Sequence, residues 1–217
     1  MPALRPSEYT AALIYAIQRH PELVRGKQVL ELGCGSGVVL AAAAQLGASH
    51  VCGVDIEEDA ALASRRLLSD LGHGDKAELH VGDLWQPLGS RRFDTILANL
   101  PHFPMTDGTA PGRRSTWSVG GTDGRRLLDR FIDELPMRLQ PGGRAIITHN
   151  GFVDIALSLL LLAGNGLKCA ALQSILVPLA EEKMARVSKS LIESEINRSL
   201  HQYGPYSFGE VHVVEIS

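Results

Sequence analysis

The run Val29-Leu30-Glu31-Leu32-Gly33-Cys34-Gly35-Ser36-Gly37 constrains this chain more than any other stretch. An apolar segment closes on a carboxylate, three glycines follow at alternate positions, and an alanine-rich segment begins at once. Glycine is needed where the backbone turns into the left-handed region or where a ligand must touch it. A strand, a glycine turn and a helix N-terminus in that order expose free amide donors at the positive end of a helix dipole, a frame sized for a nucleotide. The spacing also selects among nucleotides. A dinucleotide site uses G-x-G-x-x-G, and here the third position falls on Val38 or Leu40. Hydride transfer with NAD is therefore disfavoured.

The rest of the chain agrees with an α/β reading. Strands are predicted over 28–32, 51–55, 77–81, 93–99 and 144–149, and helices over 37–46, 58–71, 123–139 and 152–163. A helix capped by Ser7 precedes them, with Leu13, Ile14 and Ile17 at helical spacing and an end near His20-Pro21. Such alternation implies a doubly wound parallel sheet with ligands at the carboxyl ends of the strands. Pro141-Gly142-Gly143 is read as a tight turn into the fifth strand. Further strands are expected at 169–177 and 210–216. Between them, 181–203 is predicted as one added helix with Met184, Val187, Leu191, Ile196 and Leu200 on a core-facing side.

Size and charge narrow the function. With 217 residues, 45% of them apolar, one domain can bury a full core (1–27 a helical lead, 28–150 a cofactor-binding core, 151–217 a C-terminal part). The formal net charge of −3 does not favour a broad nucleic-acid footprint. Cys34, Cys52 and Cys169 show no C-x-x-C pairing and no histidine at metal spacing, so neither a disulfide nor a metal is expected. Reduced thiols suit a cytoplasmic protein. No signal peptide is expected. The apolar run from Ile155 to Ala163 is too short for a membrane span and is read as a buried helix.

The pattern E-x-G-x-G-x-G over Glu31–Gly37 resembles motif I of the Rossmann-like, S-adenosylmethionine-dependent methyltransferases. The resemblance implies a three-layer α/β/α sandwich, doubly wound, with a mostly parallel seven-stranded sheet and an antiparallel edge hairpin. It also implies cofactor-binding residues: Glu31 beside the methionine portion, Gly33, Cys34, Gly35 and Gly37 as the cradle, and Asn99 at the end of the fourth strand beside the methyl group. Asp55, ~20 residues beyond the glycines, is placed to accept from the ribose hydroxyls. Asp83 takes the position that contacts the adenine amino group, and Ile56 and Leu84 flank the ring.

The segment Asn99-Leu100-Pro101-His102 selects the chemistry. Many amino-methyltransferases carry Asn/Asp-Pro-Pro-aromatic at the end of the fourth strand. A planar nitrogen is a weak nucleophile because its lone pair is delocalised. The Asn99 side-chain oxygen and the Leu100 carbonyl can accept its two N–H bonds and aim it at the methyl group. Asn99, Leu100, Pro101 and His102 are thus the predicted catalytic residues, with His102 or Phe103 stacking on the acceptor. Leu100 stands where the family usually has proline. The segment 4–10, Leu-Arg-Pro-Ser-Glu-Tyr-Thr, and Gly120-Gly121-Thr122-Asp123-Gly124 are similar to elements of HemK-type glutamine methyltransferases.

That resemblance implies N-methylation, with a protein glutamine or a small metabolite as the favoured acceptor. Nucleobase amino groups and a catalytically inactive, cofactor-holding partner subunit are the alternatives. The loop from Met105 to Val119, with Gly108, Gly112, Arg113, Arg114 and Trp117, is read as a lid over the acceptor.

Overall fold

The structure is a computed structural model, and it describes residues 5–105 and 119–217. The lid expected between Met105 and Val119 lies almost entirely outside the described residues. Its two ends are pinned by bridges between Phe103 and Val119 and between Met105 and Gly121.

Eight strands form one sheet: β1 (Gln28–Leu32), β2 (His50–Asp55), β3 (Ala77–Val81), β4 (Phe93–Ala98), β5 (Leu139–Asn150), β6 (Cys169–Leu179), β7 (Leu200–Tyr203) and β8 (Tyr206–Ile216). Seven follow the order β3-β2-β1-β4-β5-β8-β6, and β7 pairs with β8 off this path. The first five are parallel; β8 runs antiparallel between β5 and β6. The chain order reverses between β1 and β4, so the cleft beyond their carboxyl ends is where such sheets bind ligands. Buried strands read as continuous apolar runs: Val29, Leu30, Leu32, Ile96, Leu97 and Ala98 are almost wholly excluded from solvent.

Helices α1 (Glu8–Arg19), α2 (Val38–Gln45), α3 (Glu58–Asp70), α4 (Arg126–Arg138) and α5 (Ile155–Gly164) cover the two faces. α1 begins in a capping box, with Ser7 and Thr10 each satisfying the other's backbone amide. α4 contains Pro136. A proline there leaves the carbonyl four residues earlier without its helical donor, and the Asn165 side chain donates to that Ile132 carbonyl at 3.3 Å.

Three expectations are corrected. The stretch 181–203 is not one helix but two short ones, α6 (Glu181–Met184) and α7 (Lys189–Glu195), followed by strand β7. Ser188 caps α7 by accepting from the Leu191 amide, Asn197 adopts φ +61°, and Gly204-Pro205 turns β7 into β8. Helical periodicity survives only as burial: Val187 and Leu200 are buried, Met184 and Leu191 partly so. The run over α5 is not a buried helix either, since Leu159, Leu160 and Leu161 lie on its exposed side. Among the described residues, no helix is long and apolar enough to cross a membrane. Finally, β5 starts at Leu139, ahead of Pro141-Gly142-Gly143, and the register with β4 shifts across those residues.

Gly37 ties the sheet to the helical layer. Its φ is +77°, and a Cβ there would sit 2.7 Å from Ser64 Cα on α3. Left-handed strain of about 1–2 kcal/mol adds to about 1–3 kcal/mol of overpacking against backbone that cannot yield. Gly37→Ala is therefore expected to destabilise the fold by about 2–4 kcal/mol, read as a fall in the urea midpoint without a change in m-value.

Candidate active site

Beyond the carboxyl ends of β1, β2 and β4 lies one cleft of about 370 Å³, within the range of small-molecule and cofactor sites. The glycine loop forms its floor. Gly33, Gly35 and Gly37 all take positive φ, and the buried Ser64 hydroxyl donates to the Gly35 carbonyl at 3.1 Å. Cys34 is a buried filler of this turn; burial raises its thiol pKa, and Ser64 Oγ lies 3.5 Å from its sulfur. Such a thiol is not an activated nucleophile.

Two carboxylates stand over the loop. Asp55 ends β2 and holds the loop from both sides: Oδ2 accepts from the Gly35 amide at 2.9 Å and Oδ1 from the Glu57 amide at 3.0 Å. Each oxygen keeps a lone pair for a hydroxyl donor. Glu31, in β1, is 2% exposed and lines the cleft. Its Oε2 has no hydrogen-bond partner. Burial, and Asp55 nearby, push its carboxyl well above the ordinary range. A buried, half-partnered carboxyl facing a cavity is a place for a cationic ligand group.

On the far wall, Asp83 meets the Arg130 guanidinium through both oxygens, at 3.2 and 2.9 Å. The residue expected to contact an adenine amino group is thus already tied to α4. The sequence gives no sign of this partner, because Arg130 lies on a helix 47 residues away. Leu84 adopts φ +48°, a strained position for a branched side chain, and turns its buried side chain into the cleft wall. Ile56 lines the same cleft while 58% exposed, leaving an apolar surface free for a ring to cover.

Asn99 follows β4 and is fixed from two directions. Thr148 Oγ1 on β5 donates to Asn99 Oδ1 at 2.8 Å, and Asn99 Nδ2 donates to Thr10 Oγ1 on α1 at 3.4 Å. Leu100 and Pro101 line the cleft beside it. His102 does not: it is buried, edge-on to Tyr9 at 5.9 Å, and its Nδ1 bonds the Leu100 carbonyl. Phe103 packs against Phe152. Neither ring is placed to stack on an acceptor, and the Leu100 carbonyl keeps one lone pair rather than two.

His102 instead replaces the stiffness a proline would give at Leu100, by clamping that residue's carbonyl through its own ring. Gly120 and Gly124 make room for this turn: a Cβ on either would lie 2.8 Å from His102 backbone atoms. Tyr9 donates to Asn150 Oδ1 at 2.8 Å, and Asn150 Nδ2 donates to the His102 carbonyl at 3.3 Å. These supports, Tyr9, Thr10, Thr148 and Asn150, were not predicted singly. The segment 4–10 is a sequence signal for Tyr9 and Thr10 alone; Thr148 and Asn150 carry none.

Cleft, glycine cradle and strand order together define a doubly wound, Rossmann-like α/β architecture. Residues 29–111 match the family described as a methyltransferase domain. The chain is 35% identical over 123 residues to a Methanocaldococcus jannaschii protein named for N5-glutamine methylation of protein, covering 55% of this chain and 60% of that one. It is 36% identical over 136 residues to the release factor glutamine methyltransferase of Geobacter sulfurreducens, covering 59% of this chain and 46% of the relative. The chain thus spans about half the length of these curated relatives.

Among solved structures, the Mtq2–Trm112 complex of E. cuniculi superposes over 100% of this chain and 99% of its own, with TM-score 0.61 and 19% identity. The 16S rRNA N2 G1207 methyltransferase of T. thermophilus superposes over 97% of this chain and 43% of its own, with TM-score 0.60 and 22% identity. At these identities the likeness is one of fold.

Proposed function

We propose that this chain transfers a methyl group from S-adenosylmethionine to a planar amide nitrogen, with a glutamine side chain of a protein as the acceptor. The observation that carries this reading is the fixed Asn99 amide at the mouth of a glycine-floored cleft. With Oδ1 already accepting from Thr148, its remaining lone pair is left for one acceptor N–H, and the Leu100 carbonyl offers the second. Two such bonds orient a weak nucleophile and stabilise the charge it develops.

The residues present fit the cofactor. Glu31 would face its ammonium group, the Gly33–Gly37 loop its backbone-hugging middle, Asp55 the ribose hydroxyls, and Ile56 and Leu84 the adenine. Asp83 would meet the adenine amino group only by sharing its carboxylate with Arg130. The cofactor supplies an electrophilic methyl group; orientation and dehydration of the acceptor fall to this chain. The curated relatives above, named for glutamine methylation, support the choice of acceptor class.

Labelled methyl transfer to fractionated cell extract tests the reading. Label is expected in protein, recovered as N5-methylglutamine after enzymatic digestion and as methylamine after acid hydrolysis. Label confined to RNA or to small metabolites would sink the protein-glutamine assignment. Glu31→Gln offers a second check: it is expected to weaken S-adenosylmethionine binding by at least tenfold in calorimetric titration, as a charge-assisted hydrogen bond is worth about 1.5–3 kcal/mol. Unchanged affinity would remove Glu31 from the cofactor site.

A further inference from the structure

We infer that the face of the sheet at β2 and β3 holds a transition-metal site built from Cys52, Glu78 and His80. The pairing register sets Cys52 opposite Glu78 and Val54 opposite His80. Residues two apart on a strand share a face, so Cys52, Glu78 and His80 project to the same side, and so does His50. One ligand atom from each of Cys52, Glu78 and His80 lies within 4.8 Å of the other two. Tetrahedral coordination with metal bonds of about 2.0–2.3 Å needs ligand atoms about 3.5 Å apart, a closure that rotation of Glu78 and His80 provides.

The two oxygens of Glu78 are already sorted. Oε2 is held by Arg91 at 2.9 Å and lies 3.5 Å from His50 Nε2. Oε1 turns to His80 Nε2 at 2.8 Å. That nitrogen is out of hydrogen-bonding alignment and has no other partner, although the atom itself is buried. A cation between Oε1, Nε2 and the Cys52 sulfur would give Nε2 the partner it lacks and take over the sulfur from the Arg91 side chain, which bonds both Cys52 and the Glu78 carboxylate. The donor set of thiolate, imidazole and carboxylate suits zinc and excludes the hard, oxygen-seeking cations. Binding breaks the Cys52 S–H bond, forms a metal–sulfur bond and releases one proton to solvent.

No C-x-x-C or histidine pair announces this site, and the sequence reading expects no metal. Its ligands come together only when β3 pairs with β2. It is also separate from the cleft. Asp55 and Asp83 lie at or just beyond the ends of these two strands, so a metal there would brace the adenosine side of the cleft without touching it.

Cobalt(II) titration of the full chain is the test. One equivalent is expected to bind, with tetrahedral d–d bands and a near-ultraviolet thiolate-to-cobalt band, and zinc is expected to displace it and raise Tm by several degrees. Cys52→Ser should abolish the thiolate band, and His80→Asn and Glu78→Gln should each weaken binding at least tenfold. Glu78 is half-exposed, so its variant folds even if Cys52→Ser does not. Cys169→Ser should leave the spectrum unchanged. Absence of the thiolate band, or binding that survives both Glu78→Gln and His80→Asn, overturns the assignment.

Discussion

Asn99→Ala is expected to lower kcat by about 10²–10³-fold while leaving S-adenosylmethionine affinity within about twofold. The magnitude is that of removing one preorganised hydrogen-bonding group from a site where charge develops. Its direction follows from geometry. In the proposed reaction Asn99 Oδ1 would face the acceptor nitrogen, whereas the glycine loop, Asp55 and Glu31 form a separate wall of the same cleft. Stopped-time assays at saturating cofactor, paired with calorimetry, separate the two effects. Turnover within a factor of ten of wild type would show that Asn99 does not orient the acceptor. Asn99→Asp is a useful companion. A carboxylate keeps the acceptor oxygen but loses the donor to Thr10, so partial activity is expected.

A loss of stability in mild acid is the second large effect. His102 is buried, and its pKa is lowered to about 4, chiefly by burial, against the bond to the Leu100 carbonyl that raises it. His149, beside it at 6.3 Å, is lowered to about 3, again chiefly by burial. An unfolded imidazole titrates near 6.5, so below that pH the unfolded chain binds protons that the folded chain refuses. Stability is therefore fully present above about pH 6.5 and is lost as pH falls towards about 4. Each imidazole contributes about 1.4 kcal/mol per pH unit in that window.

Buried carboxyls act in the opposite sense. Glu31 and Asp55 both have raised pKa values, so protonation in acid favours the folded state. The clean measurement is a difference between variants. His102→Asn keeps a donor for the Leu100 carbonyl but cannot titrate. Between pH 6.5 and 4.5 the wild type is expected to lose about 2 kcal/mol more than this variant in urea unfolding. Parallel pH profiles for the two proteins would mean that His102 takes up its proton as readily folded as unfolded.

Elements whose pattern is set by local chemistry were legible in the sequence. The parallel strands β1 to β4, the glycine cradle and the Ser7 cap emerge within a residue or two of expectation, because each depends on neighbours in the chain. The antiparallel pairing of β6 and β8 was also foreseen. The stretch 181–203 was misread because its apolar residues suit both a helix face and an alternating strand. The choice fell to Ser188 as a cap, to Asn197 at positive φ and to the Gly204-Pro205 turn. Glu31, Gly33, Gly35, Asp55, Asp83 and Asn99, far apart in the chain, line one cleft. Their partners were not foreseen, since Thr148, Asn150, Arg130 and Tyr9 reach the site only through the sheet and its flanking helices. His102 shows the limit most clearly. Its position suggested a stacking surface, and only its burial against Tyr9 reveals a brace for the turn.

The hydrogen bonds through Asn99 also have a direction. Thr148 donates to Asn99, Asn99 donates to Thr10, and Thr10 Oγ1, which already accepts from the Ser7 amide, lies 3.4 Å from Ser7 Oγ. The last link is the cap of α1, so the start of the first helix and the reactive-site amide meet at one hydroxyl, that of Thr10, which accepts from both. Rotating the Asn99 amide by half a turn would require both hydroxyls to exchange roles, Thr148 accepting from Nδ2 and Thr10 donating to Oδ1, while the Ser7 amide still donates to Thr10. The first helix therefore does more than cover the sheet: its cap and the site amide share a side chain, so fraying at Ser7 would loosen Asn99.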